Sequence, residues 1–230
     1  ALHAPHPMDY QFQFDAVFDA WALLLKGTWI TIQLSTLVML LGLVVAIFCA
    51  WGKTNGPGWL RLVVNAYIEV IRNTPFIIQL YFFFFALPVV GLRWSPHTAA
   101  LTAMVVNVGA YATEIIRAGI ESIPKGQIEA GKALNLKPWE IFRFVIIKPA
   151  LKAIYPALTS QFILLMLGSA VISVISADDL TSVASNLQSQ TFRSFEIYIV
   201  VAAIYLLLAL AFSALFKLIY RRTLNYPDRR

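Results

Sequence analysis

The chain has 230 residues, of which 59% are hydrophobic and 13% charged, with a mean hydropathy of +0.72. Globular chains carry about 25% charged residues, so this composition excludes both a free-standing soluble domain and a disordered chain. The net charge of +6 suggests nucleic acid until the charges are located, and the single Cys49 allows neither a disulfide framework nor a cysteine metal site.

A helix needs roughly 20 apolar residues to cross a hydrocarbon core about 30 Å thick. Five stretches without Asp, Glu, Lys or Arg qualify: 28–52, 73–92, 94–113, 153–177 and 197–216. Only Arg93 and the turn formers around Ser95-Pro96 separate the second from the third. A single broken hairpin is the alternative there, and the near absence of charge over 40 residues favours two crossings. The predicted architecture is an all-α polytopic membrane protein with a leading segment 1–27, a membrane domain 28–222 and a tail 223–230. Fifteen of the 18 Lys and Arg residues fall after the first span, between the third and fourth, and in the tail. By the positive-inside rule the N-terminus lies outside and the C-terminus in the cytoplasm. Asp9, Asp15, Asp19, Asp178, Asp179 and Glu196 then face outward, with Asp178-Asp179 read as an exposed pair.

The first apolar run, at 25 residues and preceded by acidic side chains, is too long and wrongly flanked for a cleavable signal peptide. Ala1–Pro7, ahead of Met8, is read as an expression remnant. Gly52-Lys53-Thr54 is not a phosphate loop, because Ile47 stands where the first glycine of that pattern belongs. Asn73-Thr74-Pro75 predicts a helix start, with Asn73 or Thr74 capping and Pro75 in the first turn. The block Tyr81–Phe85 covers every face of a helix and needs no ligand to explain it.

Polar groups inside spans are expensive and turn toward protein or water. Gln79, Asn107, Ser169 and Ser173 are the candidates for a substrate pathway. The serines, with Ser176, recur on one helix face beside Gly168, which is equally a signature of close helix packing. Glu69 and Arg72, three apart, and Glu114 and Arg117, at the inner end of the third span, are candidate gate or loop-bracing residues. His97, near an outer end, is the one titratable side chain within a span, whereas a proton-driven carrier is expected to hold one at mid-depth. No catalytic constellation and no metal-ligand spacing is present in the sequence.

The segment 114–156 alternates charge with apolar stripes at helical spacing, broken at Pro124, Asn135–Pro138 and Pro149. It predicts three short amphipathic helices, the middle one over about 125–136. Its run from Gly126 to Leu136 resembles the EAA loop of permease subunits of bacterial ABC importers. The flanks Tyr111–Ile120 and Ser122–Gln127, with Arg72-Asn73-Thr74-Pro75, Gln79 and Ala177–Leu180, resemble the polar amino acid branch of that family. The departures are Gly131 for Ala, Asn135 for Gly, and Pro149 one place later than the pattern. In addition, Leu167-Gly168-Ser169-Ala170 stands where many relatives carry a Lys-Asp/Asn-Thr-Ser-like run. Asn135 suits the left-handed conformation its position requires.

The resemblance implies a type I ABC importer transmembrane fold in a bacterial inner membrane. It implies a permease half of an ATP-driven importer for a polar amino acid or similar small solute, without catalysis of its own. The partners it implies are two ATPase subunits, which hold ATP and Mg, a second permease chain and an outer substrate-binding protein, all in membrane lipid and without nucleic acid. The lost charged pair at Leu167–Ala170 favours a heterodimer of permeases over a homodimer. The residues implied to couple to the ATPase are Gln127, Glu129, Ala130, Gly131, Lys132, Ala133 and Asn135. A self-contained carrier or channel is the alternative, and the missing intramembrane charges count against it.

Overall fold

The computed structural model describes residues 10–224. Ala1–Pro7, Met8 and positions 225–230 of the tail lie outside the described residues. In chain order the helices are α1 (Asp15–Asp19), α2 (Trp21–Asn55), α3 (Gly58–Arg72), α4 (Phe76–Tyr81), α5 (Pro96–Glu121), α6 (Lys125–Ala133), α7 (Pro138–Glu140), α8 (Ile147–Gly168), α9 (Leu180–Thr191) and α10 (Ser194–Thr223). No strand occurs among the described residues. Four runs are long and apolar enough to cross a membrane: α2, α5, Pro138–Ile175 and α10. The pair Gly58–Arg72 and Phe76–Val90 passes the same test together but is bent by 110°.

α5 is the central helix. Half of its most apolar stretch is buried, against 6% for α10, which lies at the periphery. Apolar side chains gain little by leaving lipid, so contact in such a bundle depends on close backbone approach through small residues. α2 meets α5 at Gly42, where a Cβ would come within 2.7 Å of Val108 Cγ1, and at Gly109, where it would meet Val45 Cγ1 at 2.8 Å. Around these contacts Val38, Met39, Leu80, Ala103, Met104 and Phe162 form the main core.

The three helices expected over 114–156 resolve differently. The first stripe is the end of α5, and only the second, α6, stands alone. The third belongs to one helical run from Pro138 to Ile175, which Pro149 does not break. The reason lies upstream, where Ile141–Ile146 is wound as a π-helix. Its wider turn relieves the proline's clash with the carbonyl four residues back. Pro88 stands in the first positions of the 3-10 helix Leu87–Val90, where proline is tolerated. The serine face expected after Gly168 is also lost, because Ser169–Ile175 is a 3-10 helix, whose period differs from the α-helical one.

Asp178 and Asp179 are not an exposed pair. Asp178 is exposed and lies 3.1 Å from His97 Nε2, whereas Asp179 is fully buried. Asp179 caps α9, accepting from the Ser182 backbone N–H at 2.7 Å and from the Tyr205 hydroxyl at 3.3 Å. Next to it the Leu180 N–H donates to Thr31 Oγ1 at 3.0 Å, so α2, α9 and α10 are joined through one polar cluster. Burial pushes the Asp179 carboxyl up to about 6. Between pH 4 and 6 the folded chain therefore holds a proton that the unfolded chain has released, and stability falls as pH rises through that window. Thermal unfolding in detergent is expected to show this decline, worth up to about 3 kcal/mol, and Asp179→Asn is expected to flatten it.

Candidate functional site

Pro75 cannot continue α3, and the turn it forces leaves the Val70 and Ile71 carbonyls without backbone donors, while that of Glu69 still accepts from the Asn73 N–H at 3.2 Å. Side chains add donors at this end. Asn73 Nδ2 donates to the Glu69 carbonyl at 2.8 Å, Thr74 Oγ1 to that of Val70 at 2.7 Å, and Gln79 Nε2 to that of Ile71 at 2.7 Å. Gln79 Nε2 also reaches the Thr74 carbonyl at 2.9 Å, and its Oε1 accepts from Asn107 Nδ2 on α5 at 3.1 Å. Asn73 and Thr74 thus close the helix behind them instead of capping the one ahead, whose N-cap position is Pro75 itself.

Beside this break lies a cleft of about 520 Å³ lined by Arg72, Asn73, Thr74, Asn107, Tyr111 and Gln161 among others. A second recess, lined by Glu114 and Ala118, shares Arg72, Tyr111 and Gln161 with it. Among the described residues, no carboxylate lines the first cleft. The Arg72 guanidinium lies 5.4 Å from the Tyr111 ring centroid, a cation–π position. Glu69 does not serve Arg72 here: its carboxylate accepts from Asn73 at 3.3 Å.

Of the candidate pathway residues, Asn107 lines the cleft, and Gln79 is buried behind it as the brace of the broken helix. Ser169 and Ser173 lie elsewhere, donating to the carbonyls of Met166 and Ala170 at 2.8 Å each. Their hydroxyls satisfy the 3-10 turn. Tyr111 and Gln161 were not singled out from sequence; Gln161 had the same signal as Gln79, an amide in an apolar stretch.

Glu114 and Arg117 come together with Lys53. Glu114 Oε1 accepts from Lys53 Nζ at 2.7 Å and Oε2 from Arg117 Nη2 at 2.9 Å, and Arg117 also pairs with Glu121. The network ties the ends of α2 and α5.

Next in the chain, α6 is seated by one residue. Gly131 is buried, and a Cβ there would meet Ile141 Cγ1 at 3.2 Å. Gln127, Glu129, Ala130, Lys132 and Ala133 remain exposed. The helix closes as a Schellman motif: the Leu136 N–H donates to the Gly131 carbonyl at 3.1 Å and the Asn135 N–H to that of Lys132 at 2.9 Å. Asn135 has φ +58°, the left-handed conformation anticipated for it.

This arrangement is that of the membrane-spanning subunit of an ABC transporter. The structure of an amino acid ABC transporter with histidines superposes with a TM-score of 0.87 at 38% identity, over 93% of this chain and 100% of that one. The inward-facing MetNI methionine ABC transporter shares the fold, with a TM-score of 0.75 at 23% identity over 89% of this chain and 97% of that one. Residues 42–225 match the family described as binding-protein-dependent transport system inner membrane component, and the chain belongs to that family. The glutamine transport system permease protein GlnP of Escherichia coli (strain K12) is 38% identical over 215 residues, 92% of this chain and 98% of that protein. The putative glutamine transport system permease protein GlnP of Rickettsia conorii is 34% identical over 200 residues, 86% of this chain and 92% of that protein.

Gln79→Leu is expected to leave the Ile71 and Thr74 carbonyls and the Asn107 amide without their partner. The Thr74 carbonyl and the Asn107 amide border the cleft, so the loss is expected to total about 1–3 kcal/mol and the purified protein to melt several degrees lower in detergent, whereas Ser173→Ala is expected to melt close to the wild type.

Proposed function

We propose that the chain is the permease subunit of an ATP-driven importer for a polar amino acid, set in a bacterial inner membrane. The relatives that support this reading are named for glutamine and for amino acids. The chain crosses the membrane five times, with its N-terminus outside and its C-terminus in the cytoplasm. Phe76–Val90 makes the second crossing, short at about 22 Å for its 15 residues, and α3 lies along the cytoplasmic interface. The polar cleft beside the helix break is one wall of the solute pathway, and a second permease chain supplies the facing wall. Leu167–Ala170 carries no charge, which favours a different partner chain over a second copy. An outer binding protein delivers the solute.

Energy comes from two ATPase subunits, which hold the ATP and Mg. The observation that carries this coupling is the seating of α6: Gly131 faces inward and Glu129, Ala130, Lys132 and Ala133 face outward. A short helix with small side chains on its free face approaches a partner groove closely, and Glu129 and Lys132 pair with charges at its rim. Glu114, Lys53 and Arg117 brace the loop that presents it. ATP binding and hydrolysis move α6, and the pathway alternates between outward and inward access.

The test is purification of the tagged chain from its native membrane in mild detergent, beside Glu129→Lys. The wild type is expected to bring down a P-loop ATPase. The variant is expected to retain about tenfold less, the effect of about 1.4 kcal/mol at the interface. Equal recovery with both chains would overturn the assignment of Glu129, and a chain that purifies alone would overturn the coupling reading itself.

A further inference from the structure

α8 turns different faces to its neighbours. Ile154 rests on α5 at Gly119, which has no side chain to hold it off, and Gln161, Leu164, Leu165 and Gly168 line the polar cleft. On another side of the same helix, Pro156, Ser160 and Ile163 line a recess of about 310 Å³ together with Ser213, Lys217 and Arg221 of α10. Tyr155 closes the two helices along this recess. Its hydroxyl donates to the Phe216 carbonyl at 2.8 Å, and its ring lies 5.5 Å from that of Tyr220.

The charge stands in the recess itself. Lys217 and Arg221, four residues apart and so on one helix face, both line it and both are exposed. Among the described residues neither makes an ion pair, and no carboxylate lines the recess. Ser160 and Ser213 add hydroxyl donors beside the two cations.

Depth identifies what carries the matching anion. The charge-free run 197–216 of α10 ends one residue before Lys217, so the cations stand at the edge of the hydrocarbon. From Ser213 to Arg221 the lining follows about 12 Å of helix. On α8 it reaches Ile163, ten residues into the charge-free run 153–177. A free anion would use only the basic mouth, whereas a phospholipid fills both the mouth and the apolar depth. α10 is also the least buried of the four long runs, as a lipid-facing element should be. In the orientation proposed above this end is cytoplasmic, the side on which basic pockets between spans take anionic headgroups.

We propose that this recess binds an anionic phospholipid of the cytoplasmic leaflet. Its phosphate sits at Lys217 and Arg221, and the start of one acyl chain lies along Ile163 and Phe216. The choice of leaflet rests on the orientation given under Proposed function; the preference for an anionic lipid rests on the recess.

The experiment is native mass spectrometry of the tagged chain, released with its accompanying subunits from nanodiscs of phosphatidylcholine and phosphatidylglycerol in equal amounts. The wild type is expected to retain phosphatidylglycerol in preference to phosphatidylcholine. Lys217→Gln and Arg221→Gln, exposed changes that spare the packing, are each expected to weaken that retention about fivefold. Arg222→Gln removes the same charge from a neighbour that does not line the recess, and is expected to retain the lipid as the wild type does. Equal retention of both lipids, unchanged retention in both recess variants, or an equal loss in Arg222→Gln would overturn the site. Displacement of phosphatidylglycerol by millimolar inorganic phosphate would overturn the lipid in favour of a free anion. Loss of a protein subunit in Lys217→Gln, with lipid retention unchanged, would show that a chain covers the recess instead. Cleavage of the loop containing α6 by protease added outside sealed right-side-out vesicles would overturn the leaflet, an outcome distinct from loss of the lipid preference.

Discussion

A helix that stops at a proline releases its last carbonyls, and each then needs a donor from outside the helix. At Asn73–Pro75 the Glu69 carbonyl keeps a backbone donor, the side chains of Thr74 and Gln79 serve those of Val70 and Ile71, and Gln79 is itself held by Asn107 from the central helix. With these bonds the chain sustains a bend of 110° and opens a polar cleft beside it. The cleft is thus a consequence of how the backbone of α3 ends. Gln79, buried behind the cleft, holds the Asn107 amide that lines it.

Connectivity joins that cleft to the exposed helix α6. Gly131 rests on Ile141, and Ile141 belongs to the helical run Pro138–Ile175. Twenty residues further along the same run, roughly 30 Å away, Gln161, Leu164, Leu165 and Gly168 line the cleft. In the proposed coupling, a push on α6 would be delivered to the base of a helical run whose other half lines the cleft. Had Pro149 ended that helix, the lever would be broken; the π-helix at Ile141–Ile146 keeps it whole. The Gly119 contact holds the lever against α5, and the Lys53–Glu114–Arg117 network fixes the adjoining ends of α2 and α5.

Much of this was legible in the residues. Apolar runs gave the long helices, and the pattern from Gly126 to Leu136 gave α6, including the left-handed turn at Asn135. What was not legible depends on partners distant in sequence. Asn73 and Thr74 have the composition of a helix start, and only the bend shows that they serve the helix before them. Asp179 follows Asp178 in sequence and reads as its exposed partner, yet α2 and α10 fold over it. A proline marks a helix end on local rules, yet the run Pro138–Ile175 carries Pro149 just after a π-turn and Pro156 within α8 itself. The serines after Gly168 had the right period for a face but wind as a 3-10 helix.

The central claim is that this chain moves solute only when a partner ATPase drives it. The most direct measurement is uptake of radiolabelled glutamine into sealed proteoliposomes, with the binding protein present outside. One set carries the permease with its ATPase and enclosed ATP, and another carries the permease chains alone. The account predicts accumulation above the outside concentration in the first set and none in the second. Uptake by the permease chains without ATPase or ATP would contradict it and make the chain a self-contained carrier.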